Sequence, residues 1–269
     1  MGRYALRYGV LAYLSMLLVV PVGMIAYRTF QHGVSPVWDA LSSDSATSAI
    51  KLSLLIAAIA VPINVVFGIA TGWLLARRKM PVPWLVNAII NLPFAMSPVI
   101  IGLAVFQLYG RTGWIGQYLF DHQIPVLFTW KAMVIATVFI SLPFVVREVV
   151  PVLEEIGTDQ EQAAEVLGAT ALQGFFRVTL PAIRWAVVYG TILTVARALG
   201  EYGAVNLVSS NIVGQGLTLP LYVDNRVNQL DPTSAYSAGL LLAVISLIIL
   251  VGMTTLSGRR HRTAEETTA

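Results

Sequence analysis

Two charged residues, Arg197 and Glu201, stand four positions apart inside the long apolar stretch 182–208. Residues spaced four apart lie on one face of a helix, so the two side chains can reach each other. Placing a charge among apolar side chains is costly unless it is paired. Gly200 and Gly203 leave the neighbouring backbone open to close approach. Two uses of the pair stay open: it locks its helix to neighbouring helices, or it lines or gates a passage in which Arg197 attracts an anion.

A second pattern with chemical meaning occupies residues 153–181. Acidic residues begin this stretch, and apolar residues then recur at helical spacing. Thr158 or Asp159 is placed to cap a helix. Gly168 interrupts the apolar pattern, and a glycine inside a helix costs about 1 kcal/mol relative to alanine. We therefore predict two short helices joined at Gly168. The apolar side of these two helices must be buried against something. Either the membrane surface or the chain's own helix ends bury it, or a partner protein docks there.

The composition of all 269 residues identifies the environment of these patterns. Hydrophobic residues make up 57% of the chain and charged residues 12%, against roughly 45–50% and about 25% in soluble globular domains. A soluble chain of this length cannot bury so much apolar surface. This excludes a cytosolic enzyme and a nucleic-acid-binding protein. The chain has no cysteine and only three scattered histidines, so we expect neither a metal site nor a catalytic cluster.

Six apolar stretches are long enough to cross a lipid bilayer as helices. They cover residues 8–27, 50–76, 84–109, 132–150, 182–208 and 237–256. The pattern predicts an all-α polytopic membrane protein with six transmembrane helices. We divide the chain into an N-terminal anchor helix with its outer connector (1–49), a transmembrane domain (50–256) and a polar cytoplasmic tail (257–269).

The basic residues predict which way the chain crosses the membrane. Eleven of the 17 fall on one side of the predicted bilayer, and five fall on the other, with Arg197 inside a span. The eleven are Arg3, Arg7, Arg77, Arg78, Lys79, Arg147, Arg177, Arg184, Arg259, Arg260 and Arg262; the five are Arg28, Lys51, Arg111, Lys131 and Arg226. By the positive-inside rule, both termini and the loop 153–181 face the cytoplasm. Arg147 and Glu148 are expected as a pair where the fourth span meets the cytoplasm.

The spacing within 153–181 resembles the EAA loop of ABC importer permeases. The pattern of that loop is Glu-Ala-Ala, three residues, Gly, nine residues, Ile, one residue, Leu-Pro. The matching positions here are Gln162, Ala163, Ala164, Gly168, Val178, Leu180 and Pro181. Gln162 stands in place of the usual glutamate, with Glu161 beside it, and Val178 stands in place of isoleucine.

Longer stretches resemble one branch of these binding-protein-dependent inner-membrane components. They are similar to the W-type of the two partner permeases of sulfate/thiosulfate ABC importers. The stretches that carry this similarity are 92–99, 143–149, 177–185, 196–205 and 218–221. The connector 224–236 departs most from the family, which leaves molybdate or tungstate open as the cargo.

The resemblance implies a MetI-like permease fold in the bacterial inner membrane and import of sulfate or thiosulfate into the cytoplasm. The loop would act as a coupling helix on an ATP-binding subunit, through the matched positions and Glu161. The implied partners are a dimer of ATP-binding subunits, a second, non-identical permease and a substrate-binding protein. The sequence contains no GxxxxGK[ST] motif, so we expect the partner to bind the ATP and this chain to hold no cofactor and no catalytic residue.

The pair Arg197 and Glu201, with Gly200 and Gly203, would then lie along the translocation path or its gate. Two other classes of protein compete with this interpretation. A secondary transporter driven by an ion gradient would be favoured by several acids inside the spans, but Glu201 is the only carboxylate well inside one. A membrane enzyme would need a cluster of reactive residues near the membrane boundary, and the three histidines are scattered.

Overall fold

The computed structural model describes residues 2–77 and 80–267, and all regular structure in those ranges is helical. The helices are α1 (Gly2–Phe30), α2 (Ser35–Ser42), α3 (Asp44–Ala76), α4 (Pro83–Ala95), α5 (Pro98–Tyr109), α6 (Gly116–Asp121), α7 (Trp130–Ile156), α8 (Asp159–Val166), α9 (Ala171–Gly174), α10 (Leu180–Leu199), α11 (Gly203–Val208), α12 (Leu219–Asn228) and α13 (Pro232–Thr267). A π-helical turn, Phe175–Thr179, joins α9 to α10. Arg78 and Lys79, two of the eleven basic residues placed on the cytoplasmic side, and tail residues 268–269 lie outside the described residues.

Within the described residues, five segments are long and apolar enough to cross a membrane, and one bent pair of helices brings the number to six. The five segments are Leu6–Phe30, Asp44–Ala76, Trp130–Ile156, Ala171–Leu199 and Pro232–Met253. The bent pair is α4 with α5. Each of the six corresponds to one of the predicted apolar stretches, and the predicted all-α membrane fold is confirmed.

The third predicted span is not one straight helix. Helices α4 and α5 meet at an angle of 111°, separated by Met96 and Ser97. Both of these residues have extended backbone angles, and Pro98 gives the reason, because a proline disfavours helical angles in the residue before it. The limits predicted for this span, 84–109, were close, and the bend falls directly before Pro98.

The fifth predicted span, 182–208, is also interrupted. Helix α10 ends at Leu199, and a separate short helix, α11, begins at Gly203. The Glu201 side chain explains the break, because its Oε1 accepts a hydrogen bond from the Ala204 backbone N–H at 2.9 Å. A side chain that satisfies a free N–H in the first turn of a helix favours a new start at that point.

Helices α3, α7 and α10 form the centre of the bundle, and glycines let them approach closely. A Cβ atom on Gly68 of α3 would lie 2.5 Å from Val145 Cβ on α7. A Cβ atom on Gly190 of α10 would lie 2.8 Å from the Cα atom of the same valine. Val145 is fully buried between the two neighbouring helices. Small residues at such crossings are how membrane helices gain close packing without a hydrophobic driving force.

Candidate functional site

The loop between α7 and α10 turns at two glycines that have left-handed backbone angles. Gly157 follows α7 with φ +70°, and Gly168 follows α8 with φ +83°. At the second turn, the N–H of Ala169 donates to the Ala164 carbonyl at 3.0 Å, and the N–H of Gly168 donates to the Glu165 carbonyl at 2.9 Å. This pair of bonds is the Schellman motif, which favours glycine at its left-handed position. The predicted break at Gly168 is confirmed.

The second half of the loop is not a separate short helix, which corrects the prediction. Helix α9 runs through the π-helical turn directly into α10. Pro181 in the first turn of α10 supplies a reason, because proline has no N–H to donate to the carbonyl four residues earlier. Leu180 packs against the buried cluster that includes Val145 and Val149. Leu180 and Pro181, two of the positions that match the EAA loop, therefore have a structural role at the start of α10.

The caps of the loop helices differ from those expected. Thr158 is the residue before α8, but its side chain makes no hydrogen bond to the backbone of that helix. Instead, Gln162 Nε2 donates to the Thr158 hydroxyl at 3.0 Å. A full capping box, formed by Thr170 and Gln173, begins α9. The Thr-x-x-Gln spacing that signals this box is present in the sequence, although we did not predict a cap there.

Glu161 joins the loop to the long helices. Its carboxylate accepts two hydrogen bonds from the Arg77 guanidinium, from Nε to Oε2 at 2.9 Å and from Nη2 to Oε1 at 3.0 Å. The Thr179 hydroxyl donates a third bond to Oε1 at 2.6 Å. Arg77 also donates from Nη1 to the Leu153 carbonyl at 2.9 Å. We call Glu161, Arg77 and Thr179 the Glu161 clamp, because they tie α8 to the ends of α3 and α7 and to the turn before α10.

The contacts of the clamp hold Glu161 in its charged form. Burial alone would raise the pKa of this carboxyl, because burial disfavours the charge. Hydrogen bonds from Arg77 and Thr179 and the positive charge of Arg77 outweigh burial and lower the pKa below its ordinary value of 4.5. A lowered carboxyl pKa means that the clamp adds stability at neutral pH. That contribution is lost as the pH falls through the lowered pKa.

The apolar side of the loop is exposed in this chain. Val166 and Leu167 are each 87% exposed, Leu172 is 71% exposed and Phe176 is 59% exposed. We call these four side chains the apolar loop face. Three positions that match the EAA loop lie on α8: Gln162 and Ala163 are exposed, and Ala164 is half-buried. Val166 and Leu167 lie outside the candidate spans, and exposed large apolar residues of this kind mark a surface that binds another molecule.

The predicted ion pair at the end of α10 is present. Arg197 Nη2 lies 2.8 Å from Glu201 Oε2. The Glu201 side chain is 1% exposed and the Arg197 side chain is 31% exposed. The two side chains therefore form a pair that is buried at its acidic end and partly accessible at its basic end.

The two interrupted spans pack against each other at their breaks. A Cβ atom on Gly203 would lie 3.1 Å from Pro98 Cβ, at the start of α5. One turn further along α5, a Cβ atom on Gly102 would lie 2.7 Å from the carbonyl oxygen of Ala204. Gly200, in contrast, is exposed, and the nearest atom to its Cβ position is a carbonyl of its own helix. Of the two predicted glycines, only Gly203 is required by close packing between elements.

Broken helices at membrane depth are tolerated where protein covers the backbone or where the backbone lines a water-filled cavity. Two such breaks lie in contact beside the Arg197–Glu201 pair, an arrangement that suits a membrane transport protein. The profile of the family described as "Binding-protein-dependent transport system inner membrane component" matches residues 64–262. The chain belongs to this family.

Curated relatives agree with this assignment. The sulfate transport system permease protein CysW of Synechococcus elongatus is 46% identical over 252 residues, which cover 94% of this chain and 88% of that one. CysW of Escherichia coli is 42% identical over 236 residues, covering 88% and 81%. CysT of Salmonella typhimurium, also a sulfate transport system permease protein, is 35% identical over 252 residues, covering 94% and 91%. The identities to the two CysW proteins are higher than the identity to CysT, which supports the resemblance to the W-type permease.

A solved structure confirms the permease fold. A chain in the crystal structure of a bacterial alginate ABC transporter, in complex with an alginate pentasaccharide-bound periplasmic protein, superposes with a TM-score of 0.79. The alignment covers 95% of this chain and 93% of that chain at 18% sequence identity. The likeness shows a shared fold and does not identify the ion that this chain transports.

We predict that removing one charge of the Arg197–Glu201 pair is worse than removing both. Arg197→Ala leaves a buried carboxylate without its charged partner, at a cost of about 3 kcal/mol. The double variant Arg197→Gln with Glu201→Gln removes both charges and keeps an oxygen that can accept from Ala204 N–H. The melting temperature of the purified protein should fall for the single variant and recover in the double variant.

Transport by the double variant then separates the two uses of the pair. If the pair lines or gates a path, the double variant assembles normally but transports less. Normal transport by that variant would show that the pair only locks its helix to its neighbours.

Proposed function

We propose that this chain is a membrane-spanning permease subunit of an ABC importer that brings sulfate, and also thiosulfate, into the cytoplasm. The loop geometry carries the proposal: the apolar loop face extends from the end of α8 over α9 and the π-helical turn, and the Glu161 clamp fixes α8 to the long helices. Membership of the binding-protein-dependent family supports the importer class. Sulfate is supported by the relatives, whose names state sulfate transport.

The proposed assembly contains this chain, a second, non-identical permease, two ATP-binding subunits and a substrate-binding protein. The ATP-binding subunits bind and hydrolyse ATP, and this chain contributes no catalytic residue and no cofactor site. Both termini and the loop face the cytoplasm of a bacterial cell, as the distribution of basic residues favours. The substrate-binding protein then docks at the opposite end of the bundle.

The apolar loop face is the proposed docking site of the ATP-binding subunit. The exposed positions Gln162 and Ala163 border the contact, and Gly168 lets the chain turn away behind it. Because the clamp fixes α8 to α3, α7 and the turn before α10, a displacement of the docked subunit moves those helices together. Packed interiors transmit such displacements because they have little free volume.

The pair Arg197–Glu201, with Gly200 and Gly203, is the proposed gate region of the path. The pair lies where α10 stops and where the two interrupted spans touch. A movement of α10 that starts at the loop reaches this point through one continuous helix of 20 residues. The contact between Gly203 and Pro98 then couples the movement to the break between α4 and α5.

The proposed cargo is tested by uptake of radiolabelled sulfate in bacterial cells lacking this chain, with and without a plasmid copy. We expect the plasmid copy to restore uptake, and unlabelled thiosulfate, but not molybdate, to compete with it. Normal sulfate uptake in the cells without this chain would contradict the proposal. Competition by molybdate alone would move the cargo to another oxyanion.

The proposed docking site is tested by one substitution on the apolar loop face. Leu167→Asp places a charge on a side chain that is 87% exposed, so the permease itself should fold normally. We expect the ATP-binding subunit to co-purify with this variant at a small fraction of its normal amount, because a buried unpaired carboxylate disfavours the contact. Leu230→Asp is the matched control, since Leu230 is 89% exposed in the connector between α12 and α13. Equal co-purification of both variants would place the docking site elsewhere.

A further inference from the structure

Arg147 carries a charge inside a membrane-spanning helix, and the structure gives it neutral neighbours. It lies on α7, within the span Trp130–Ile156. Its Nε and Nη2 atoms donate to Asn91 Oδ1 on α4, at 3.1 and 2.7 Å. Its Cζ atom lies 4.1 Å from the centroid of the Phe94 ring, also on α4. The side chain therefore leans from α7 onto the last turns of α4.

The charge of Arg147 is directed toward the middle of its helix, α7. Side chains on a helix point toward its N-terminus, and for Arg147 this direction leads toward Phe144. The Phe94 ring under the guanidinium packs edge-on against the Phe144 ring, with centroids 5.3 Å apart. Phe144 is near the middle of the 27 residues of α7, so it is about 20 Å from either end at 1.5 Å per residue. The guanidinium therefore lies on the side of its own Cα atom that faces away from the C-terminal end of α7, and the expected position of Arg147 where the span meets the cytoplasm stays a prediction.

No acidic side chain neutralises Arg147 in the described part of the chain. The ion pairs among residues 6–17, 19–77 and 80–253, whose side chains the structure describes, are Arg77–Glu161, Arg197–Glu201 and Arg226–Asp231. Glu148 follows Arg147 directly, but consecutive residues on a helix do not face each other. An amide oxygen and an aromatic face orient the guanidinium, and both are uncharged groups. Arg147 thus keeps its full positive charge, whereas Arg197 is paired with a carboxylate.

The Arg147 side chain is also accessible, since the residue is exposed. Charged side chains inside membranes face protein or a water-filled cavity and seldom face lipid. Two of its five N–H donors bind Asn91, which leaves three for another acceptor. Phe94 is the second-last residue of α4, next to the break between α4 and α5. The free charge therefore stands beside the interrupted part of the third span.

We infer that Arg147 is a transient binding site for the transported oxyanion, with Asn91 as the residue that positions it. This inference rests on the proposed function and names the contact that the cargo makes inside the membrane. A doubly charged tetrahedral oxyanion presents several acceptor oxygens, and a guanidinium binds such an ion through paired N–H donors. A single positively charged side chain suits a translocation path, because the transported ion must bind well enough to enter and weakly enough to leave.

The test measures sulfate uptake and complex assembly for three variants of the full importer. Arg147→Gln removes the charge, and we expect uptake to fall on the order of tenfold or more while the partner subunits still co-purify. Arg147→Lys restores the charge, and we expect it to recover much of the uptake. Asn91→Ala removes the positioning hydrogen bonds but keeps the charge, and we expect a smaller loss. Arg28→Gln is the matched control, because it removes one positive charge from the last turn of the peripheral helix α1.

Three outcomes would overturn the inference. Normal uptake by an assembled Arg147→Gln complex would show that the cargo does not need the charge. A loss by Asn91→Ala as large as that of Arg147→Gln would make the contact between α4 and α7 the important feature. Failure of both Arg147 variants to assemble would make Arg147 a structural residue that pairs with another subunit. If the unsubstituted importer itself takes up no sulfate, the proposed function fails first, and this inference fails with it.

Discussion

The contact of the Glu161 carboxylate with Arg77 and Thr179 is the interaction that joins the loop to the long helices of this chain. The Arg77 side chain is only 5% exposed, and a buried guanidinium without a partner is strongly destabilising. Glu161 supplies that partner from the loop, and the Thr179 hydroxyl joins the same carboxylate from the turn before α10. Three segments that are distant in sequence therefore meet at one charge. Without this contact, α8 would lose its ion pair to the end of α3 and its hydrogen bond to the turn before α10.

From the clamp, a continuous series of packed contacts leads into the membrane. Helix α10 runs without a break from Leu180 to Leu199 and crosses α7 where Gly190 lets the two backbones approach. Beyond its end, Gly203 packs on Pro98 at the break of the third span. The long helices are rigid elements, and the breaks are the places where the backbone can change direction. Under the proposed function, a force applied at the loop acts on α10, which carries Arg197, and on α7, which packs against it.

The sequence alone predicted the features that depend on composition and local spacing. The six apolar stretches, the turn at Gly168 and the ion pair between Arg197 and Glu201 follow from hydropathy, backbone preference and helical periodicity. The break at Gly200 was missed, and the size of the bend at Ser97 was not predicted, because an apolar stretch has the same composition whether it runs straight or bends. A proline or glycine in a membrane helix is common enough that neither one indicates a break by itself.

The contacts between distant residues could not be predicted from spacing. Arg77 and Glu161 are 84 residues apart, and the sequence showed Arg77 only as one of several basic residues that set orientation. The bond between Arg147 and Asn91 joins residues 56 apart, and local reasoning paired Arg147 with its neighbour Glu148. In both cases the residue type was informative, but its partner was determined by how the helices pack.

The most direct test of the clamp's role is the amount of sulfate transported per ATP hydrolysed by the reconstituted importer carrying Glu161→Gln. This variant removes the charge of the clamp while keeping its size, and Glu165→Gln makes the same change at an exposed position of the same helix. If the clamp transmits the movement of the loop, Glu161→Gln should retain its ATP-binding subunits and hydrolyse ATP but transport several-fold less sulfate per ATP, while Glu165→Gln behaves normally. Equal transport per ATP in both variants and the unsubstituted complex would contradict this role.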